Sequence, residues 1–223
     1  MPEFDAFAGY PEPKEPRVVG PALRTIHNRI IASYRDAEFY DGARMNGYGG
    51  MADDGRWAPI AKNIADHYNL YHGARILQIG AHKGFLLHEF LKLGMRVTGT
   101  EISAYAIDAS VLRLDYAPFT KLPYDDGTFD LVIAASAVYS LNLADAIKCL
   151  REIQRVGCGR SWVSLAAYED EADTEGLMLL RYWFLTGNLI LTKADWLSVM
   201  EHAGYVGDYR FDTAKYLNLR RGA

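Results

Sequence analysis

Half of the 223 residues are apolar, which is enough to bury the core of one decorated domain and too little for two full ones. A formal charge of −4, with Lys and Arg spread along the chain, offers no basic field to a nucleic-acid backbone, and no apolar run approaches the length, about 18 to 20 residues, that spans a bilayer. Cys149 and Cys158 lack CxxC spacing and neighbouring histidines, which argues against a zinc site or disulfide framework. A soluble cytoplasmic protein with free thiols, and with neither nucleic acid nor membrane as partner, is expected.

Residues 1–20 contain Pro2, Pro11, Pro13 and Pro16, each of which removes a backbone donor and fixes φ, so a flexible or surface-draped arm is expected. From Pro21, the spacing of Leu23, Ile26, Ile30, Ile31 and Tyr34 predicts an amphipathic helix. Next, glycines alternate with aromatic and acidic side chains: Phe39-Tyr40-Asp41-Gly42, Asn46-Gly47-Tyr48-Gly49-Gly50 and Asp54-Gly55-Arg56-Trp57. Linkers seldom interleave residues as large as Tyr40, Tyr48 and Trp57, so a shaped lid is favoured over disorder. With a second helix from Pro59 to Tyr68, residues 21–70 form a helical cap and lid ahead of a domain spanning 71–223.

That domain alternates strands and helices. Strands are expected at Ala74–Ile79, Met95–Gly99 (ending on Glu101), Val111–Leu114 (ending on Asp115), Phe129–Ala135 and Ser161–Ala166, and helices at Phe85–Leu93, Ala104–Ala109 and Leu143–Val156. Parallel neighbours need crossover connections, so the alternation implies a mostly parallel sheet wound with helices on both faces. Two further helices, Leu177–Phe184 and Thr192–Ala203 with Thr192 as N-cap, precede Gly207–Ala214 and Lys215–Leu219, read as a closing antiparallel hairpin.

In such a sheet ligands sit outside the carboxyl ends of the strands. Gly80 and Gly84 bracket the turn after the first strand, where missing Cβ atoms let backbone N–H groups and a helix N-terminus approach an anionic group. Glu101 ends the second strand, about twenty residues from the turn, a spacing that suits acceptance of two hydrogen bonds from a ribose diol. Asp115 ends the third, where its carboxylate suits an exocyclic adenine amine. Together they outline a nucleoside with a charged tail.

The ordered set Ile76-Leu-Gln-Ile-Gly80-Ala-His-Lys-Gly84, Val97-Thr-Gly-Thr-Glu101-Ile-Ser103, Asp115 with Leu122-Pro-Tyr-Asp-Asp-Gly-Thr-Phe-Asp130, and Glu152-Ile-Gln-Arg-Val156 resembles the motifs of class I S-adenosylmethionine-dependent methyltransferases over residues 74–167. The resemblance implies the Rossmann-like fold of that class and S-adenosylmethionine as cofactor, with S-adenosylhomocysteine as product. It also implies that the glycine turn with Gln78 and His82 faces the methionine portion, Glu101 the ribose, Ile102 one adenine face, and Asp115 with Tyr116 the adenine edge. Ser136 joins this cofactor set. The segment from Asp41 to Trp57 further resembles a subgroup of bacterial small-molecule methyltransferases, in which it helps close the site.

Several positions depart from the family pattern. Gln78 stands where an acid is usual, His82 where a small residue is usual, and Tyr139 lies near where related enzymes often carry a histidine. Tyr139 and Tyr168 are the catalytic candidates, although a phenol near pKa ~10 is a poor base and Tyr139 serves equally well as a packing residue. Tyr40, Tyr48, Trp57 and Trp183 are candidates for the acceptor pocket, whose aromatic lining suits an amine cation or a planar molecule. The expected function is N- or O-methylation of a small molecule. The alternative is a catalytically impaired scaffold acting as partner of an active homologue, with a homologous subunit or a second copy as its partner.

Overall fold

A computed structural model describes residues 1–11 and 13–222; Glu12 of the arm and Ala223 lie outside them. A short strand β1 (Arg17–Val19) is followed by α1 (Ile26–Ser33), α2 (Ala37–Asp41) and α3 (Ala58–His67). Then come β2 (Arg75–Ile79), α4 (Phe85–Lys92), β3 (Arg96–Glu101), α5 (Ala104–Asp108), β4 (Asp115–Tyr116) and β5 (Leu131–Ala134). The chain continues through α6 (Leu143–Val156), β6 (Ser161–Tyr168), α7 (Thr174–Trp183), β7 (Leu191–Thr192), α8 (Lys193–Ala203), β8 (Asp208–Asp212) and β9 (Leu219–Arg221).

The main sheet runs β4-β3-β2-β5-β6, with β7 and β8 both paired to β6, and every pairing is parallel. Burial on both faces explains why β2 and β5 read as nearly unbroken apolar runs. Helix α6 shows the complementary pattern: Ala146, Cys149, Leu150, Ile153 and Val156 fall on one buried face, and the Asn142 side chain caps its start by accepting from the Asp145 N–H. Thr192 likewise caps α8.

The expected antiparallel C-terminal hairpin is replaced by two parallel pairings. Helix α8 is a crossover that returns β8 alongside Trp162–Ala166 of β6. The free edge of β8, where a returning strand would pair, is occupied by residues 2–4: Phe4 N–H donates to the Tyr209 carbonyl at 2.8 Å and Tyr209 N–H to the Pro2 carbonyl at 3.2 Å. The segment beyond therefore leaves the sheet and pairs as β9 with β1.

Of the two readings of residues 1–20, flexible or surface-draped, the described part of the segment follows the second and packs onto the domain. Ala6 is fully buried, Phe4 stacks on His67 with centroids 3.6 Å apart, and the Trp162 indole donates to the Phe4 carbonyl at 2.9 Å. Helix α1 exists, but its buried side is Asn28 and Ala32. The apolar positions that predicted it point outward, Ile26 being 72% exposed and Tyr34 70%, because the Asn28 amide donates to Asn46 of the lid at 2.7 Å. The third strand also shifts: Val111–Leu114 is a bend, and pairing begins at Asp115.

Candidate active site

The turn after β2 is built as its glycines require. Gly80 and Gly84 have φ of +68° and +77°, and a Cβ on Gly80 would lie 3.2 Å from the Ala137 methyl. Three of the turn's N–H groups are engaged within the chain. Those of Gly80 and Ala81 donate to the Thr100 carbonyl at 2.9 and 3.0 Å, and that of His82 to Glu101 Oε2 at 2.9 Å. Gly84 serves packing against the loop of Ser110, whose Oγ would lie 2.8 Å from an added Cβ.

Glu101 is fully buried. Its Oε1 accepts from the N–H groups of Ile102 at 2.7 Å and Ser103 at 3.1 Å, so three backbone donors hold the carboxylate and leave one of its about four lone-pair sites. In front of it stands a layer from the lid. The Tyr40 and Tyr48 hydroxyls lie 3.3 Å from Nδ1 and 3.4 Å from Nε2 of His82, and Nδ1 is 3.9 Å from Glu101 Oε2. Burial lowers the His82 pKa, which Glu101 partly opposes and Arg35 reinforces. Burial pushes the Tyr48 phenol up to about 12 and raises Tyr40 as well. These rings are neutral at pH 7, and a neutral imidazole can donate to only one of the two hydroxyls.

A buried cation fastens this lid to the turn. Lys83 Nζ donates to Asp41 Oδ1 at 2.6 Å and to the Met51 carbonyl at 3.2 Å, while the Tyr105 hydroxyl also donates to Asp41. Burial would raise the Asp41 pKa, but the hydrogen bonds from Lys83 and Tyr105 hold it below its ordinary value. Neither Lys83 nor this role of Asp41 was apparent in the sequence, where both sat inside glycine-rich segments read for their backbone.

Beyond the layer, at the carboxyl ends of β2 and β5, lies a cavity of about 530 Å³. Gln78, His82, Ser136 and Tyr139 line it with Tyr48, Trp57 and Trp183, so these predicted residues do come together. Glu101, Ile102, Asp115 and Tyr116 do not line it: Asp115 accepts from the Tyr124 hydroxyl at 2.7 Å and Tyr116 is 72% exposed. Tyr40, stacked on Tyr48, does not line it, and neither does Tyr168, one of the two catalytic candidates, which ends β6 beside β7. Sequence reasoning missed the cavity's arginines, Arg17, Arg24, Arg35, Arg44, Arg56 and Arg210, which are dispersed over the whole chain.

Three non-glycine residues of the cavity wall have left-handed backbones: Arg35 at φ +50°, His82 at +52° and Ser136 at +65°. Such conformations cost of order 1–3 kcal/mol each and gather at functional sites. Gln78 Oε1 is buried with no hydrogen-bond partner, an acceptor that a ligand's ammonium group would satisfy, so the methionine end of the cofactor fits here. Glu101, to which the resemblance assigns the ribose, is walled off by His82 and the lid tyrosines. Tyr139 is buried, and burial followed by the nearby Asp212 carboxylate raises its phenol well above the usual range, which removes it as a general base near neutral pH. Its carbonyl accepts from Asn188 and Leu189, both at 3.0 Å, and its ring packs 4.6 Å from that of Phe184, so packing is the role the structure shows.

A family model described as a methyltransferase domain matches residues 77–165. Among solved structures, the YcgJ protein of Bacillus subtilis is 17% identical with a TM-score of 0.53, over 64% of this chain and 66% of its own. A Bacillus halodurans protein assigned provisionally as a methyltransferase is 15% identical with a TM-score of 0.54, over 65% and 68%. An Anabaena variabilis protein, assigned provisionally as a methyltransferase of an antibiotic biosynthesis pathway, is 24% identical with a TM-score of 0.41, and the match spans 44% of this chain and 40% of that one. No curated protein matches the sequence significantly. The chain has the Rossmann-like fold of these methyltransferase-like structures, and the methyltransferase-domain model covers the strand-helix core of that fold. No helix among the described residues is long and apolar enough to cross a membrane.

Proposed function

We propose that this chain transfers a methyl group from S-adenosylmethionine to a small-molecule acceptor enclosed beneath residues 40–57, in the cytoplasm and without a nucleic-acid or membrane partner. The observation that carries the reading is the convergence of Arg35, His82 and Ser136, all in strained left-handed conformations, on one cavity at the carboxyl ends of β2 and β5. The bound cofactor supplies a methyl group already activated by its sulfonium. The protein's work is then to hold, align and exclude water. Gln78 Oε1 would accept from the ammonium end, and residues 40–57 would cover the bound molecules. With Tyr139 unable to act as base, the acceptor arrives as an unprotonated nitrogen or an already ionised oxygen.

Glu101 reaches the ribose only if the Tyr40–His82–Tyr48 layer moves. Calorimetry with S-adenosylhomocysteine tests the reading: binding is expected, and Glu101→Ala weakens it by about 1.5 to 3 kcal/mol, the scale of lost hydrogen bonds to a charged group. Hydrogen exchange on the same samples should show residues 40–57 changing protection with ligand. If neither S-adenosylmethionine nor S-adenosylhomocysteine binds, the wall across Glu101 is permanent and the scaffold reading replaces the enzyme.

A further inference from the structure

Among the described residues the cavity is strongly cationic, in a chain whose formal charge is −4: six arginines line it with two carboxylates, Asp5 and Asp212. Both acids are engaged by one arginine, Arg210, whose guanidinium donates to Asp5 Oδ1 and to Asp212 Oδ1, each at 3.0 Å. Arg56 is matched by its neighbour Asp54. Among the described residues no carboxylate lies within the 4.0 Å salt-bridge distance of Arg17, Arg24, Arg35 or Arg44.

Three of these four meet at one ring. The guanidinium carbons of Arg17, Arg24 and Arg44 stand 5.1, 5.2 and 5.2 Å from the centroid of Trp183. They come from different elements, β1, the turn before α1, and the lid, and converge on the end of α7. Their hydrogen bonds go to backbone carbonyls: Arg17 to Leu217 at 2.8 Å, Arg24 to Trp183 at 2.6 Å and to Arg44 at 3.1 Å, and Arg44 to Tyr48. Carbonyl oxygens and an indole face hold the guanidiniums in place but do not cancel their charge. Arg24 is buried, and desolvation, with Arg44 and Arg29 adding to it, lowers its pKa to about 10. Like charges gathered in a low-dielectric site are unfavourable unless an anion joins them.

We propose that the acceptor is an anion: a small molecule whose carboxylate or phosphate is anchored by Arg17, Arg24 and Arg44 against the face of Trp183. This rests on the methyltransferase reading for the word acceptor; the anion site itself stands on the charge count. The cofactor's own carboxylate needs a single guanidinium, and Arg35, beside His82, is available for it, which leaves the trio at Trp183 without a purpose in cofactor binding. The forked guanidinium matches carboxylate and phosphate oxygens two at a time, and the surrounding aromatic rings take the rest of a planar molecule. The same trio repels an amine cation, the other acceptor that an aromatic lining alone admits. A cavity of about 530 Å³ falls in the size range of small-molecule sites.

The test uses the full chain saturated with S-adenosylhomocysteine and one-ring probes that differ in charge: benzoate and phenyl phosphate, neutral benzamide, and cationic benzylamine. Binding is followed by calorimetry and by Trp183 fluorescence, with Trp183→Phe as the spectroscopic control. The expected result is that one or both anions bind more tightly than benzamide by about tenfold or more, that added salt weakens them, and that Arg17→Met and Arg44→Met each weaken them about tenfold while S-adenosylhomocysteine affinity is unchanged. The two anions, compared, tell a carboxylate site from a phosphate site. Three results overturn the proposal: benzamide or benzylamine binding as tightly as the anions, no anion binding at about 10 mM, or anion affinity unchanged in both variants. A parallel fall in S-adenosylhomocysteine affinity in both variants also overturns it, by assigning the trio to the cofactor. If S-adenosylhomocysteine never binds, the methyltransferase reading fails separately, and the charge series on the free protein still decides whether an anion site exists.

Discussion

The wound sheet and the cap in front of it are held together by different means. In the sheet, parallel ladders and continuous burial fix each residue through its backbone and its nearest neighbours. In the cap, position depends on a few long-range side-chain contacts: Lys83 to Asp41, Tyr40 and Tyr48 to His82, and Asn28 to Asn46. The edge of the sheet is thus built from local motifs, and the cap in front of it from contacts between distant segments. Regions held by few contacts are also those that open locally, as a lid must.

The difference can be broken from the sheet side first. Leu77 is fully buried in the main core, so Leu77→Ala should cost about 3 kcal/mol of global stability, seen as a lower denaturant midpoint with an unchanged m-value. A lowered m-value or biphasic transition would show that cap and sheet unfold separately. On the cap side, Asp41→Ala strands the Lys83 ammonium in a buried place. The side chain of Asp41 is 34% exposed, so the loss should be about 2 kcal/mol, below the about 3–5 of a fully buried pair. Amide exchange should rise over residues 37–51 and stay unchanged in β2 and β5; a uniform rise would make the cap an integral part of the core.

A smaller effect concerns pH. Burial lowers the folded-state pKa of His82, so the unfolded chain takes up a proton more readily. Cap stability is therefore complete above the unfolded value of about 6.5 and declines as pH falls from there towards the folded pKa. His82→Asn should flatten that part of the profile, and an unaltered profile would assign it to another group. Smallest of all, Tyr139→Phe should change turnover no more than a few-fold and leave the shape of the pH–rate profile intact, because a phenol raised by burial has no proton to lose near neutrality.

What was legible in the sequence follows the same division. Runs ending in Gly80 and Glu101 located β2 and β3 because those signals act within a few residues of chain, whereas the run ahead of Asp115 stays out of the sheet. Helix α1 was located by the right spacing and turned the wrong way, since Asn28 and Asn46 outweigh the apolar stripe through a contact 18 residues apart. The hairpin failed for a related reason: periodicity cannot foresee that residues 2–4 take the edge of β8. The arginines looked scattered because they are scattered along the chain, and only the fold collects them around Trp183.

The pairing of β1 with β9 also sets an order of assembly. Arg17 reaches Leu217 and Asp5 reaches Arg210 across 200 and 205 residues of sequence, so the wall carrying the arginine trio cannot be completed on the ribosome until residue 217 and its neighbours have emerged. Loop closure over such separations is entropically costly and slow, and it rewards the chain only once the sheet is there to receive it. A nascent chain can thus form the β2-β5-β6 core before it completes the wall that carries these arginines.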